Sequence, residues 1–302
     1  MINSGESESA ADPAPPRQET TPGIEAPLQG RVALVTGSAR NIGRAIADRL
    51  GAAGASVVIV DIDAAAADAA ADHLTSLGIP SLAIAADLTA TEGIDSAFAQ
   101  AEDRFGVVDV LVNNAYARID ENCFGPFLTI DPNNWERFFA ANTTMFFGAC
   151  QRFARALAHA EQTGSIVNIS SHGAARAHRE HVPYDSVKGA MESFTRAAAV
   201  DLAPWGIRVN AVRPGSILVT DEAVDWGTGG RQDTQIPLGR QGNPFDVANS
   251  VLYLAGPASA YVTGQIFNVD GGLAAQARAP QVEPHAPAGP TTLTEIPATL
   301  RP

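Results

Sequence analysis

The sequence is poor in cysteine. Cys123 and Cys150 are its two thiols in 302 residues, and no Cys-x-x-Cys pair or Cys/His ligand spacing accompanies them. That excludes a disulfide framework, leaves no metal site to expect, and fits a reducing, cytoplasmic setting. Cys150 falls in a helical pattern and reads as a small buried apolar group. Basic residues are also scarce: 20 Lys and Arg stand against 33 Asp and Glu, a formal net charge of -13. Nucleic acid and anionic lipid need a basic excess, so neither is an expected partner. No apolar run is long enough to span a bilayer. The N-terminus lacks the basic, apolar, small-residue order of a secretory signal. Glu6, Glu8, Asp12, Glu19 and Glu25 make it too acidic for a transit peptide.

What the chain does contain is one block able to bury a core. Hydrophobic residues make up 45% of the sequence, enough for one sizeable domain. Residues 1–29 are rich in Ser, Pro, Glu and Ala and read as a disordered lead-in. Residues 274–302 carry Pro280, Pro284, Pro287, Pro290, Pro297 and Pro302 and read as a Pro-rich tail. The folded domain is expected over 30–273. Within it, short β-branched runs alternate with longer helical patterns. Strands are expected at Val32–Thr36, Ser56–Val60, Ser81–Ala86, Val108–Asn113, Ser165–Ser170, Arg208–Val212 and Gln265–Val269. Helices are expected at Ile42–Ala53, Ala64–Leu77, Thr91–Phe105, Trp135–Glu161, Tyr184–Leu202 and Phe245–Leu254. Strands that are apolar throughout are covered on both faces. The alternation predicts an α/β fold: a doubly wound, seven-stranded parallel Rossmann-type sheet with helices on both faces. Ligands in such sheets bind beyond the carboxyl ends of the strands.

The first expected strand runs into Gly37-Ser-Ala-Arg-Asn-Ile-Gly43. A strand-to-helix turn that brings backbone to a pyrophosphate needs glycine, and the following helix aims free N–H groups at the phosphates. The second strand runs into Asp61, whose carboxylate can accept from a ribose 2′-hydroxyl and repels a 2′-phosphate. Arg40 pulls the other way, since it can pair with a 2′-phosphate. Asp61 faces the hydroxyl directly, so NAD is the expected cofactor, with NADP as the alternative.

The central block resembles the short-chain dehydrogenase/reductase family, its 3-oxoacyl reductase and alcohol dehydrogenase branch in particular. The family's Thr-Gly-xxx-Gly-x-Gly loop appears as Thr36, Gly37 and Gly43, with Asn41 in place of the middle glycine. Its Asn-Asn-Ala-Gly stretch appears as Asn113-Asn114-Ala115-Tyr116. The most specific match is Tyr184-Asp-Ser-Val-Lys188, with Ser171 thirteen positions before the tyrosine. Asn142 in Ala-Ala-Asn142-Thr matches the asparagine of the family's long helix. Pro214-Gly215 matches the turn after the sixth strand, although Thr220 falls one residue later than the pattern. The resemblance implies a cofactor site made of Gly37, Arg40, Asn41, Ile42, Gly43, Asp61, Asp87, Leu88, Asn114, Ala115, Tyr184, Lys188, Pro214, Gly215 and Ile217. It places Asp87 at the adenine and Tyr116 near the nicotinamide. It further implies a homodimer or homotetramer built on the two long helices.

Ketone reduction by hydride needs a proton delivered to the oxygen. Tyr184 can supply it, but a free phenol has a pKa of about 10. Lys188, four residues on along the same helical face, is expected to lower that by roughly 1 to 3 units and to hold the ribose. Ser171 is expected to hydrogen-bond the substrate oxygen. By the resemblance, Asn142 positions a water between Lys188 and solvent. The expected activity is hydride transfer between NAD(P) and a secondary alcohol or ketone. The competing possibility is a catalytically weak NAD-binding sensor or scaffold on the same fold. The Pro-rich termini can equally be partner-binding modules or inert tails. For the substrate, the stretch His172 to His181 holds three His and two Arg. Tyr116, His172, Arg176 and Trp226 are candidate substrate residues. Arg176, His178, Arg179 or His181 is expected to recognise a polar or anionic group, unless the stretch is a solvated loop. Trp226, with Gly227, Gly229 and Gly230, can form an opposing lid. A secondary alcohol, a sugar, a steroid and a 3-oxoacyl thioester all stay open.

Overall fold

The computed structural model describes residues 26–118, 124–219 and 235–277. Cys123, Thr220, Trp226, Gly227, Gly229, Gly230 and most of both terminal extensions lie outside the described residues. Seven strands form one sheet: β1 (Val32–Thr36), β2 (Ser56–Asp61), β3 (Ser81–Ala85), β4 (Val110–Asn113), β5 (Gly164–Ile169), β6 (Ile207–Pro214) and β7 (Ile266–Val269). Every pairing is parallel, and the order is β3-β2-β1-β4-β5-β6-β7. Six helices connect them: α1 (Asn41–Ala52), α2 (Ala64–Ser76), α3 (Thr91–Phe105), α4 (Pro132–Ala160), α5 (Val182–Leu202) and α6 (Pro244–Ala255).

The apolar strands bury both faces, and the period-2 alternation assigns each side chain to one of two cores. Ala33, Val35, Val57, Ile59, Val110 and Val112 pack with α1, α2 and α6 through Ile46, Leu50, Leu74 and Val251. Leu34, Val58, Val60, Leu111 and Ile166 pack the other way, against Ile94 and Phe98 of α3 and Met145 and Phe153 of α4. The Ala-rich α2 is more than a surface helix: Ala67, Ala70 and Ala71 are buried, where small side chains let it approach the sheet closely.

Several boundaries differ from expectation, and caps explain most of them. α4 starts at Pro132 rather than Trp135, because Asp131 accepts from the Asn133 amide at 2.8 Å and proline suits the first helical position. α6 starts at Pro244 behind a reciprocal Asn243/Asp246 capping box. α5 starts at Val182, again with a proline in its first turn. β4 starts at Val110 rather than Val108, and β6 runs on to Pro214, which pairs with Val269. At the front edge, Leu28 is buried in the core although the domain was expected from Gly30, and its amide donates to the Ala53 carbonyl at 2.9 Å. No described helix is long and apolar enough to cross a membrane. Among the described residues, no group of three or more His, Cys, Asp and Glu is placed to hold a metal.

Candidate active site

The strand order reverses between β1 and β4, and a cleft of about 610 Å³ opens there at the carboxyl ends of β1 to β4. The turn after β1 forms its floor. Gly37 has φ of +59°, and a Cβ there would lie 2.8 Å from the Ala115 Cα. A Cβ on Gly43 would overlap the Gly37 carbonyl and lie 2.5 Å from the Asn114 amide nitrogen. Both positions therefore demand glycine. Asn41 opens α1 with φ of +52°, a left-handed conformation that Asn tolerates. Its side-chain Oδ1 is buried and has no hydrogen-bond partner among the described residues. The first-turn amides of α1 lack intrahelical partners, so this loop is a ready anion cradle. Asn114 holds it in shape: its Nδ2 donates to the carbonyls of Thr36 (3.0 Å) and Gly37 (2.8 Å).

Gly37, Arg40, Asn41, Ile42 and Gly43 all line the cleft, as do Asp61, Asp87, Leu88, Asn114, Ala115 and Tyr116. The Asp61 carboxylate is fixed by two backbone amides, Ala39 at 3.1 Å and Asp63 at 3.2 Å. Arg40 is ion-paired with Asp63, a partner the sequence did not point to. Asp87 accepts from the Thr89 hydroxyl and amide, which hold its carboxyl below the usual range. Pro214, Gly215 and Ile217 do not line this cleft, and neither do Tyr184 and Lys188. Gly215 is tied to β7 by the hydrogen bond from its N–H to the Val269 carbonyl and by its closeness to Asp270. Ile217 forms an isolated bridge with Gly242. Met145 and Val219 line the cleft without having carried any sequence signal.

Ser171 follows β5 and caps a short 3-10 turn, His172–Ala174. It is buried, its Oγ accepts from the Gly173 amide at 3.2 Å, and it lies near enough to the Tyr184 phenol to bear on its acidity. Burial pushes the phenol above its ordinary range, against the lowering effect of Ser171, while the charge on Asp185 adds to the rise. Lys188 is not among the groups that lower it, contrary to expectation. The Lys188 ammonium instead donates to the Ile169 carbonyl at 2.8 Å, 5.8 Å from the centre of the tyrosine ring. Burial lowers the Lys188 pKa from 10.5 to about 8. Asn142 makes no direct bond to Lys188 among the described residues. Its amide clasps the Ala117 backbone, accepting from the N–H at 3.0 Å and donating to the carbonyl at 3.1 Å, and also donates to Phe138. Tyr116 lies against Tyr184, with ring centroids 5.4 Å apart.

Two further devices surround this centre. Glu192, one turn beyond Lys188, is buried and accepts from the Ser170 hydroxyl at 2.8 Å and twice from Arg213, at 2.7 and 2.5 Å. The ends of β5 and β6 are thereby fastened to α5. In the loop before α5, Arg176 donates to the Leu273 carbonyl. His181 bonds the Arg179 carbonyl and packs on Phe124. Burial, then the neighbouring His178, holds His172 below the usual imidazole range.

A family model described as enoyl-(acyl carrier protein) reductase matches residues 37–274. The chain is 36% identical over 252 residues to a 3-oxoacyl-(acyl-carrier-protein) reductase of Aquifex aeolicus, covering 83% of this chain and 100% of that protein. It is 36% identical over 257 residues to a sorbitol dehydrogenase of Cereibacter sphaeroides, covering 81% and 98%. Among solved structures, a short-chain type dehydrogenase/reductase from Mycobacterium marinum superposes with a TM-score of 0.74 at 30% identity, covering 83% of this chain and 98% of that one. The seven-stranded sheet, the glycine cradle and these likenesses together make the chain a member of the short-chain dehydrogenase/reductase family, an NAD(P)-dependent oxidoreductase.

Proposed function

We propose that the chain moves a hydride between NAD and the carbinol carbon of a secondary alcohol, in the cytoplasm, with Ser171, Tyr184, Lys188 and Asn142 as its catalytic set. The observation that carries this is the grouping of buried Ser171 and Lys188 around the Tyr184 phenol, whose ring packs on Tyr116 in the wall of the glycine-floored cleft. The cradle fits a dinucleotide: two positions exclude any Cβ, and Asn41 offers an unpartnered buried oxygen. Gly37, Gly43 and the Asn41 backbone would hold the pyrophosphate, the Asn41 side-chain oxygen would accept from a cofactor hydroxyl, Asp61 would hold a ribose, and Asp87 the adenine end. When bound, the nicotinamide supplies or takes up the hydride. Tyr184 keeps its proton in its buried setting and delivers it to the substrate oxygen as the carbonyl is reduced. Ser171 orients that oxygen with its hydroxyl. Lys188 sets the charge beside the phenol and holds the ribose, and Asn142 anchors the Ala117 backbone that carries Tyr116. The named relatives are a 3-oxoacyl-(acyl-carrier-protein) reductase and a sorbitol dehydrogenase, so the interconversion of an oxo group and a carbinol is the shared chemistry. The catalytic unit is the block over 30–273, extended forward by Leu28.

The test is Tyr184→Phe. Turnover of alcohols with NAD is expected to fall by roughly a hundredfold or more, the usual weight of a general acid. Cofactor affinity, read from quenching of the bound reduced nicotinamide, is expected to stay within about threefold. Near-normal kcat removes the assignment. It then favours the sensor reading if the wild-type chain binds NAD without turning over any alcohol.

A further inference from the structure

The loop between Ser171 and Tyr184 contains a second built arrangement. The Asp185 carboxylate, next in sequence to Tyr184, grips His178 twice: Oδ2 accepts its backbone amide and Oδ1 meets its ring Nδ1, each at 2.7 Å. The Asp185 side chain is 11% exposed and that of His178 is 32% exposed, so the carboxylate is sheltered and the ring reaches solvent. Gly173 makes this possible, because a Cβ there would overlap the Asp185 carboxylate. The His178 ring lies 4.4 Å from that of His172 and 6.2 Å from that of Tyr184, centre to centre. Its Nε2 makes no hydrogen bond among the described residues.

An ionised carboxylate only accepts hydrogen bonds, so Asp185 fixes the His178 tautomer with the proton on Nδ1. With Nδ1 carrying the proton, Nε2 is the ring nitrogen left to accept a hydrogen bond. A group that fills such an acceptor must donate, which a hydroxyl does and a carboxylate or ketone oxygen does not. The negative charge of Asp185 behind the ring also repels an approaching anion. We propose that His178 is a substrate-binding residue, accepting a hydrogen bond from a hydroxyl on the carbon beside the one that exchanges hydride, and that the preferred substrates are vicinal diols or polyols and their hydroxy ketones. This rests on the hydride-transfer reading above. It narrows the expectation that Arg176, His178, Arg179 or His181 recognises a polar or anionic group to His178 and a hydroxyl, while Arg176 donates to the Leu273 carbonyl.

The experiment compares matched alcohols that differ by one hydroxyl: 2-butanol with 2,3-butanediol, and cyclohexanol with cyclohexane-1,2-diol. 3-Hydroxybutyrate serves as the anionic probe. Each is assayed with the wild-type chain, His178→Asn and Tyr184→Phe. The asparagine amide keeps a donor toward Asp185 and deletes the outer nitrogen. The wild-type chain is expected to favour the diols. His178→Asn is expected to reduce the diol-to-monoalcohol ratio of kcat/KM by roughly tenfold, the weight of one hydrogen bond. An unchanged ratio overturns the proposal, whether both probes fall equally, as for a mere loop anchor, or neither moves. A preference for 3-hydroxybutyrate that His178→Asn abolishes overturns it too, in favour of anion recognition. If Tyr184→Phe turns over both members of each pair as the wild type does, the hydride-transfer reading has failed, and not the role of His178 alone.

Discussion

Arg40, in the wall of the cleft beyond β1 to β4, forms an ion pair with Asp63, with 2.5 Å between Nη2 and Oδ2. The same Asp63 caps α2 by accepting from the Ala66 amide through its other oxygen, so one carboxylate both starts a helix and restrains the arginine best placed to greet a 2′-phosphate. The pair is exposed and adds little stability; its weight falls on cofactor choice. Asp63→Asn keeps a good helix cap and removes the charge that holds Arg40. The variant is expected to bind NADPH at least fivefold more tightly than the wild type, with NADH affinity nearly constant. Titration of nucleotide fluorescence reads both constants. A ratio that does not move means that Asp61 alone sets the preference. A wild-type chain that already prefers NADPH defeats the NAD assignment itself.

Lys188 gives the enzyme a pH signature. Burial disfavours its ammonium, so the folded chain releases this proton near pH 8, below the ordinary 10.5. Between those values the unfolded chain binds more protons, and stability from this group rises with pH across the window as the penalty lifts. Lys188→Met removes the penalty. At pH 7 the variant is expected to melt higher than the wild type, by an amount on the order of 3 kcal/mol at most, less the lost bond to Ile169. Its advantage shrinks as pH approaches 10, and its activity is lost. Thermal melts at pH 7, 8.5 and 10 provide the comparison; a Tm difference that stays constant contradicts the burial argument.

The Glu192–Arg213 pair should behave as a buried ion pair does. Glu192→Leu removes the carboxylate partner of the Arg213 guanidinium, which is 17% exposed and, among the described residues, keeps only its 3.1 Å bond to Asn268, and is expected to cost roughly 3 kcal/mol. Because the Ser170 hydroxyl also loses its acceptor, kcat is expected to fall through the neighbouring Ser171. Glu192→Leu combined with Arg213→Met removes both charges and is expected to recover most of the lost stability while kcat stays low. Denaturant melts of the three variants decide this. A double variant as unstable as the single one argues against a charge-driven penalty.

Assembly is the fourth prediction. α4 and α5 pack side by side and leave Phe147 at 51% exposure and Val200 at 74% exposure. Exposed apolar side chains on neighbouring helices favour self-association. We expect dimers or tetramers at micromolar concentration by light scattering, and Phe147→Glu is expected to shift the mass toward the monomer. A wild-type monomer at that concentration sinks this expectation.

Much of the fold was legible because parallel strands buried on both faces are apolar throughout, as in Val57-Val-Ile-Val60, and because Gly37 and Gly43 have steric reasons to be glycine. Spacing along one helix carried the one piece of geometry that brings the Lys188 ammonium to 5.8 Å from the centre of the Tyr184 ring. What stayed hidden depends on partners distant in sequence or on competing local bonds. Nothing in the chain links Asp63 to Arg40, or Glu192 to Arg213, until the sheet folds. Asp185 sat unremarked inside the tyrosine–lysine spacing, and Arg176 could not be known to face Leu273. α4 and α5 start earlier than expected because their first turns hold proline, which suits that turn but interrupts a helix at any later position.

The strand order carries a consequence for how the chain comes into being. β1 sits between β2 and β4, and Leu34 pairs with both Val58 and Leu111. The phosphate loop that β1 feeds is clamped by Asn114. The nucleotide cradle thus cannot close while the chain is being synthesised until residues well past Asn114 have emerged. Up to that moment, β1 offers an unpaired edge to any neighbouring chain. Nucleotide that binds only the closed cradle pulls the folding equilibrium forward by mass action, which gives the cofactor a part in maturation before it has any part in turnover.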